Sequence, residues 1–244
     1  ESFRAIYEFL NDGNKETDDY VIFEKSLISG KAVLLGDNTP MKNATVLVHK
    51  LNDRNGARLS KEPFMVFKTS NKGEWGTFIA DRKSRYEIEL VPADSSQRTI
   101  SYYFEPFSEP NSYVYLRGFP KGNMVASMLG NLPAKKEQSL IIVYSSQKAV
   151  IAGRDSLSVN NIPLSSATLT PASKTIISTF IYDDGDGKTS GMPLKQFSVT
   201  PFLSGVDINL PAMKNGTHTI YYNGRKLVLP AKSSKERILL AVFN

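Results

Sequence analysis

The stretch THTIYYNGRKLVLP, residues 217–230, decides the fold that this sequence predicts. Two runs that alternate apolar and polar residues flank Asn223-Gly224, which is the strongest short-range signal for a β-hairpin. The run ERILLAVFN, residues 236–244, predicts a further strand after the hairpin. This part of the sequence is therefore predicted to be β-structure.

Short strands separated by turns are predicted along most of the chain. Among them are strands at residues 20–27, 31–35, 176–182, 194–203 and 206–210. Residues 85–92, RYEIELVP, alternate apolar and charged side chains, which predicts a strand with one buried face. Turn signals every ~8–12 residues are typical of β-sandwiches and barrels. The predicted fold class is mainly β, with sandwich or barrel domains.

One short helix and one boundary complete the predicted organisation. Ser2 can cap the helix, and Asn11-Asp12-Gly13 ends it. Its apolar residues at helical spacing are Phe3, Ile6, Tyr7 and Leu10. A turn sequence around Pro110 breaks the first group of strands. The predicted units are a terminal helix (1–19), a β-sandwich (20–111) and a second sandwich or barrel (112–244).

The composition restricts the classes of protein to consider. The 244 residues include 30 Lys and Arg, 24 Asp and Glu and no Cys, with a net charge of +6. Because the basic residues are scattered and form no stripe, nucleic-acid binding is not predicted. The absence of Cys excludes disulfides and thiol catalysis. No apolar stretch approaches the roughly 18 residues of a membrane-spanning helix, so none is predicted.

A search for catalytic motifs predicts no catalytic residue in this chain. The two histidines, His49 and His218, each lie in a predicted strand without a companion motif. No Gly-x-Ser-x-Gly elbow is present, and a Ser-x-x-Lys match at Ser145 and Lys148 lacks its partner motifs. No His-Glu-x-x-His pattern or Cys/His cluster indicates zinc. Both histidines are predicted to be ordinary strand residues.

The stretch FIYDDGDGKTSG, residues 180–191, contains the candidate metal ligands. Gly187-Lys188-Thr189 resembles the end of a phosphate-binding loop, but Tyr182 stands where that loop needs its first glycine. The candidate ligands for Ca²⁺ are Asp183, Asp184 and Asp186. The register of a regular calcium loop is broken, and a solvated acidic turn is the alternative interpretation. No other cofactor is predicted.

A set of motifs in residues 25–105 is spaced as in a known β-sandwich. They are Gly30-Lys-Ala-Val33, Thr39-Pro40, Asn43-Ala-Thr-Val46, Thr69-x3-Gly73-x-Trp75-x2-Phe78 and Tyr86-x-Ile88. This pattern resembles the carboxypeptidase-regulatory, or transthyretin-like, family. In that family the motifs shape turns and fill the sandwich. The resemblance therefore implies a module without catalysis and a buried Trp75.

A second resemblance extends over nearly the whole chain. It rests on KAVIAGRDSLSVNNIPL (148–164), DDGDGKTSG (183–191), GVDINLPA (205–212) and TIYYNGRKLVLP (219–230). These stretches are similar to the C-terminal region of secreted bacterial and archaeal lipases. In that group an α/β-hydrolase domain precedes an all-β lipid-binding region. The resemblance implies a secreted ester hydrolase whose catalytic triad lies before Glu1, and it makes the helix of residues 1–19 the end of that catalytic domain.

The segment FPKGNMVASMLGNLPAKK, residues 119–136, is the predicted lipid contact. Its apolar cluster consists of Met124, Val125, Met128 and Leu129. Flexible Met side chains suit adaptable apolar partners, and the flanking lysines suit an anionic interface. The alternative is a crossover segment that packs between the two β domains.

A second class of function also fits the sequence. The aromatic residues Trp75, Tyr102, Tyr103 and Phe104 would form a sugar-stacking face in a carbohydrate- or cell-surface-binding module. Against this, a single Trp is few for a flat glycan platform. We therefore expect a non-catalytic accessory region of a secreted lipase or esterase that binds lipid or an acyl chain, with carbohydrate binding as the alternative.

Overall fold

The computed structural model describes residues 2–13, 23–119 and 132–244. A helix, α1 (Ser2–Leu10), precedes the strands, and a 3-10 turn (Lys195–Phe197) lies between the eleventh and twelfth of them. The strands are β1 (Lys25–Leu34), β2 (Thr45–Leu51), β3 (Met65–Lys68), β4 (Glu74–Asp81), β5 (Arg85–Val91), β6 (Thr99–Phe104), β7 (Asn111–Gly118), β8 (Ile141–Ser145), β9 (Leu157–Val159), β10 (Ile162–Pro163), β11 (Ser178–Tyr182), β12 (Leu203–Asp207), β13 (Thr217–Tyr222), β14 (Arg225–Pro230) and β15 (Arg237–Phe243). The prediction of a mainly β fold with a short N-terminal helix is confirmed.

The strands form three sheets stacked in layers. The central sheet has the order β12-β11-β8-β15-β6-β5-β2-β3, and the outer sheets have the orders β4-β1-β7 and β10-β9-β13-β14. One apolar core lies between the central sheet and the three-stranded sheet. A second core lies between the opposite face of the central sheet and the four-stranded sheet. The central sheet is therefore covered by another sheet on both faces.

β15 lies in the middle of the central sheet and joins its two halves. It pairs in parallel with β6 on one side and with β8 on the other. Leu240 and Val242 point into the first core, whereas Leu239 and Phe243 point into the second. Because both faces of the strand are buried, its sequence is a continuous apolar run and not an alternating one.

The hairpin predicted at residues 217–230 is confirmed. β13 and β14 are antiparallel, with Ile220 opposite Leu227 and Tyr222 opposite Arg225. Asn223 and Gly224 have φ angles of 48° and 78°, the positive values that a two-residue type I′ turn requires. The hairpin forms one edge of the four-stranded sheet.

The prediction that β5 has one buried face is wrong, because its charged residues are buried too. Arg58 donates to Glu87 from Nε (2.7 Å) and to Glu89 from Nη2 (2.6 Å). Arg237 donates to Glu89 from Nη1 (2.5 Å). Burial alone would raise the pKa of Glu89, but His49, Arg237 and Arg58 together lower it to about 2. Pairing with arginines from two other segments makes the burial of both carboxylates tolerable.

The two strands predicted at residues 20–27 and 31–35 are one strand over the described residues, β1 (Lys25–Leu34). Gly30 does not end a strand. A Cβ atom at Gly30 would lie 1.9 Å from the backbone oxygen of Val114, so glycine allows β7 to approach β1 closely.

The predicted strand at residues 194–203 is also wrong over most of its length. Its residues include the 3-10 turn Lys195–Phe197, and β12 begins only at Leu203. The Phe197 ring stacks on Phe180, with 4.6 Å between ring centroids. A Cβ atom at Gly205 would lie 2.1 Å from Phe197 Cδ2, so this glycine makes room for the ring.

The predicted boundary between residues 111 and 112 falls at the start of β7, which pairs in parallel with β1. The division into residues 20–111 and 112–244 stays a prediction, and the central sheet takes strands from both parts.

In α1, Ile6, Phe9 and Leu10 are exposed, Phe9 by 84% of its surface. Among the described residues, no helix has the length and apolar character needed to cross a membrane.

Candidate functional site

An apolar cavity of about 550 Å³ lies between the edge strand β7 and one half of the central sheet. Strands β6, β7, β8, β11, β12 and β15 all contribute to its walls. The apolar residues of the walls include Phe104, Phe107, Val114, Ile142, Phe180, Leu240 and Val242. A volume between roughly 300 and 1,000 Å³ is typical of small-molecule sites.

The cavity exists because the three-stranded sheet is narrower than the sheet that it covers. Phe78 of β4 packs on Tyr86 of β5, with 5.5 Å between ring centroids, and β7 lies opposite β6. Beyond β7, the same face of the central sheet continues through Leu240 of β15, Ile142 of β8 and Phe180 of β11. These side chains form the floor of the cavity.

Exposed aromatic side chains surround the opening of the cavity. Tyr113, on β7, is 78% exposed, and Tyr115 and Phe202 are exposed as well. Aromatic rings at an opening can contact an apolar ligand on one side and water on the other. The cavity is therefore accessible from solvent through an aromatic rim.

Tyr102 holds the edge strand β7 in position above the central sheet. Its hydroxyl accepts a hydrogen bond from the backbone N–H of Arg117 (2.5 Å) and donates one to the backbone oxygen of the same residue (2.8 Å). Burial raises the pKa of the Tyr102 phenol well above its usual value, so the hydroxyl keeps its proton. The Tyr102 hydroxyl thus pairs with both the N–H and the carbonyl group of Arg117, on the side of β7 that faces away from β1.

Arg117 is the one ionised side chain among the described residues that line the cavity. Its Nη1 donates to Asn38 Oδ1 (2.6 Å), and the guanidinium lies 5.6 Å from the centroid of the Tyr115 ring. These two contacts fix the direction of the side chain at the end of β7. The cavity therefore combines an apolar body with a single positive charge.

The predicted lipid-contact cluster of Met124, Val125, Met128 and Leu129 lies outside the described residues, and its role stays a prediction. Phe119, the first residue of the segment that contains the cluster, lines the cavity. The sequence did not indicate the cavity itself, because its walls come from strands far apart in the chain.

The acidic turn brings together two of the three predicted metal ligands and one that the sequence did not suggest. Carboxylate oxygens of Asp183, Asp184 and Asp207 lie within 4.8 Å of one another, and Asp186 is not in this group. Asp207 comes from the end of β12, which pairs in parallel with β11 and so ends beside the turn.

The hydrogen bonds of the turn fit a structural role. Asp183 accepts from Lys135 Nζ (3.0 Å) and Gln138 Nε2 (2.7 Å), and its other oxygen accepts from the Gly187 N–H (2.8 Å). Burial raises the pKa of Asp183, but the hydrogen bonds from Lys135 and Gln138 lower it overall. Asp207 Oδ1 accepts from the backbone N–H of Asp184 (3.0 Å). Asp183 is buried and so differs from the predicted solvated turn, whereas Asp184 and Asp186 are exposed. Asp207 is buried as well, and calcium binding stays a prediction.

His218 lies beside a serine but has the geometry of a structural residue. Its Nε2 is 3.1 Å from Ser139 Oγ, and its Nδ1 is 3.1 Å from Asn160 Nδ2. Because Asn160 Oδ1 accepts from the Thr219 N–H (2.9 Å), the amide nitrogen of Asn160 faces the ring and donates to Nδ1. The imidazole proton is therefore on Nε2, where it points toward Ser139.

An imidazole with this proton placement cannot act as the base for Ser139. Burial lowers the pKa of His218 to about 4, so the ring is neutral near pH 7. Ser139 and His218 are both buried. His49 is buried in β2, with Nε2 3.5 Å from Glu89 Oε2. The prediction that both histidines are strand residues is confirmed.

The Ser-x-x-Lys match is also part of the fold. Ser145 is buried, and its hydroxyl donates to the backbone oxygen of Lys148 (2.5 Å). The Lys148 ammonium lies 3.5 Å from a carboxylate oxygen of Asp155.

The aromatic residues of the carbohydrate-binding alternative are inside the protein. Trp75 is 4% exposed and packs against Phe67, with 6.2 Å between ring centroids. The prediction that Trp75 is buried is confirmed. Tyr102, Tyr103 and Phe104 are buried as well. These four residues therefore cannot form an exposed face that stacks on sugars.

The β-rich fold agrees with the comparisons with known proteins. Residues 24–119 match the family of the lipase C-terminal domain. This range contains β1 to β7, and therefore the whole three-stranded sheet and four strands of the central sheet. Residues 131–239 match a second family model, which is described as a C-terminal domain. The first match supports a C-terminal β region of a lipase.

Comparisons over the whole chain add little to the lipase C-terminal domain match. No curated protein matches the chain. Among solved structures, a fimbrial protein from Bacteroides ovatus ATCC 8483 matches with 8% identity and a TM-score of 0.22. The alignment covers 92% of this chain and 51% of the fimbrial chain, so this chain spans about half the length of that one.

Proposed function

We propose that this chain is a non-catalytic accessory region of a lipase and that its cavity beside β7 binds an acyl chain. The match of residues 24–119 to the lipase C-terminal domain supports the accessory role. The observation that carries the lipid-binding part is the apolar cavity of about 550 Å³ with its aromatic rim.

The chemistry of the cavity favours an acyl chain over a polar ligand. Most of its lining is aliphatic or aromatic, and an apolar wall offers few hydrogen bonds to a sugar. Each methylene group that leaves water contributes about 0.8 kcal/mol. Ten buried methylene groups contribute about 8 kcal/mol before the entropy cost of association is subtracted. A medium-length acyl chain is therefore sufficient for measurable binding.

The catalytic step belongs to a different part of the lipase in this proposal. The buried, structurally bonded Ser139 and His218 support a chain without its own triad. An associated α/β-hydrolase domain would hydrolyse the ester, and the exposed apolar residues of α1 support a contact with it. Secretion of the lipase and calcium binding at the acidic turn are parts of the proposal that rest on the sequence alone.

Filling the cavity tests the proposal. Ser178 lies on the same face of β11 as Phe180 and lines the cavity, so Ser178→Trp places a large ring inside it. Ser173→Trp is the matched control, because Ser173 is exposed and is not among the lining residues. The ligand is 1-dodecanol, which is neutral and cannot be hydrolysed, and binding is measured by displacement of an environment-sensitive fluorophore.

We expect binding to the wild-type chain and to Ser173→Trp, and loss of at least about tenfold in affinity for Ser178→Trp, or about 1.4 kcal/mol. Circular dichroism checks that each variant is folded. The proposal is refuted if the wild-type chain does not bind dodecanol, or if Ser178→Trp binds it as well as the wild type. Retention on an insoluble polysaccharide without dodecanol binding would favour the carbohydrate alternative.

A further inference from the structure

We infer that the cavity prefers the ionised fatty acid over neutral lipids, with the carboxylate bound by Arg117. This inference rests on the proposed function and names the class of ligand for the same cavity. It begins from the position of Arg117, which is the one charged side chain in the described lining of the cavity.

The guanidinium of Arg117 has donors left for a ligand. A guanidinium carries five N–H donors in a planar fork, and Asn38 Oδ1 accepts one bond from this group. Across the described parts of the chain, no carboxylate forms an ion pair with Arg117, whereas Arg58, Arg154, Arg225 and Arg237 each have an acidic partner. Arg117 is therefore available for an external anion.

The site is also fixed before any ligand arrives. Tyr102 holds the backbone of Arg117 through both its N–H and its carbonyl group, and Asn38 and the Tyr115 ring direct the side chain. A preorganised guanidinium loses little conformational entropy on binding and can hold a carboxylate through two parallel hydrogen bonds. The net charge of +6 adds a general attraction for anions.

The dimensions of the cavity match a long amphiphile with its charged end at Arg117. The cavity is lined by residues of β7 from Asn111 to Arg117. Six residue steps of a strand span roughly 20 Å. An acyl chain can therefore lie along β7, over the floor of Leu240 and Phe180, while its carboxylate reaches the guanidinium.

The preference for an ionised fatty acid would allow the cavity to distinguish the product of a lipase from its substrate. The ester substrate is uncharged, whereas the hydrolysis product is a fatty acid that is ionised near neutral pH. A cavity with one arginine and no acidic side chain in its described lining discriminates between the two by charge. It would retain the product of hydrolysis and remove it from the catalytic domain.

The test compares sodium dodecanoate with 1-dodecanol by calorimetric titration at pH 8, below the concentrations at which either aggregates. Three variants are compared with the wild-type chain. Arg117→Gln removes the charge but keeps most of the side-chain length, and Arg117→Lys keeps the charge without the fork. Arg54→Gln is the control, because Arg54 is exposed in a turn and is not among the lining residues.

We expect the wild-type chain and Arg54→Gln to bind dodecanoate more tightly than dodecanol. Arg117→Gln should lose about 10- to 100-fold in dodecanoate affinity, the range of a charge-assisted hydrogen-bonded pair, with dodecanol affinity unchanged. Arg117→Lys should keep part of the preference.

Equal affinity of the wild-type chain for both ligands overturns the inference and leaves acyl-chain binding intact. Equal losses for both ligands in Arg117→Gln also overturn it, because the arginine then acts only on the shape of the cavity. Failure of both ligands to bind refutes the proposed function itself, and the charge preference with it.

Discussion

The most direct test of how the cavity is held together is Tyr102→Phe. Tyr102 is buried, and its ring stacks on Phe104 with 6.2 Å between centroids. Phenylalanine keeps the ring and its packing but removes the hydroxyl. The variant therefore removes the two hydrogen bonds to the backbone of Arg117 and leaves the apolar core unchanged.

The expected loss of stability follows from these two bonds. A hydrogen bond contributes about 1 kcal/mol net to stability, so that the loss of both costs about 2 kcal/mol. Both hydrogen bonds are only partly buried, so the larger penalty for a fully buried unpaired group does not apply. For a chain of this size 1 kcal/mol changes the Tm by about 2–4 °C, which gives a decrease of about 4–8 °C.

Thermal unfolding and amide hydrogen exchange measure the two consequences separately. The Arg117 amide should exchange faster in Tyr102→Phe, because it has lost its acceptor. Tyr113→Phe is the control, since Tyr113 is 78% exposed and its loss of a hydroxyl should change neither quantity. A Tm within about 1 °C of the wild type, with the Arg117 amide still protected, would refute the reasoning.

Two further predictions concern buried residues outside the cavity. Trp75→Ala should cost about 3–5 kcal/mol, as for other large aromatic truncations in cores, while the folded fraction still binds dodecanol; unchanged stability with lost binding would show instead that Trp75 contacts a ligand. For His218, burial lowers the folded pKa to about 4, below the value of about 6.5 expected for the unfolded chain. The unfolded state therefore binds more protons between these two values, and stability should fall by up to roughly 3 kcal/mol as the pH decreases from about 6.5 to 4. Urea unfolding at several pH values measures this decrease, and His218→Gln should remove it; an identical pH dependence in both proteins would contradict the assignment.

The features that the sequence predicts correctly depend on neighbouring residues. The hairpin at Asn223-Gly224 follows from the turn and its flanking runs, within fourteen residues of one another. The burial of Trp75 is what the resemblance of its motif to a known β-sandwich family implies. A local pattern suffices for the hairpin because its paired residues are close in the chain, and Trp75 packs on Phe67, which is also close to it in the sequence.

The features that the sequence does not predict depend on residues far apart in the chain. Glu87 and Glu89 look like the exposed side of a strand until Arg58 and Arg237 are brought to them by other elements. Asp207 joins the acidic turn only because β12 lies beside β11.

The cavity also depends on residues that lie far apart in the chain. It is the part of a sheet face that the three-stranded sheet leaves uncovered, and its lining comes from at least six strands. The alternation of apolar and polar residues within one strand does not indicate how wide the covering sheet is. Arg117 could be noticed only as the one charged residue of β7, which by itself does not indicate a ligand.

The central position of β15 also has a consequence for how fast the protein folds. Its partners lie far away in the sequence, with Arg237 opposite Thr99 and Leu239 opposite Ile141. Closing such long loops costs entropy before any contact compensates it, so we expect the pairing of this strand to be slow. Until it docks, β6 and β8 each present an unpaired edge to other chains. We therefore expect any state of the chain in which β15 is unpaired to be prone to aggregation.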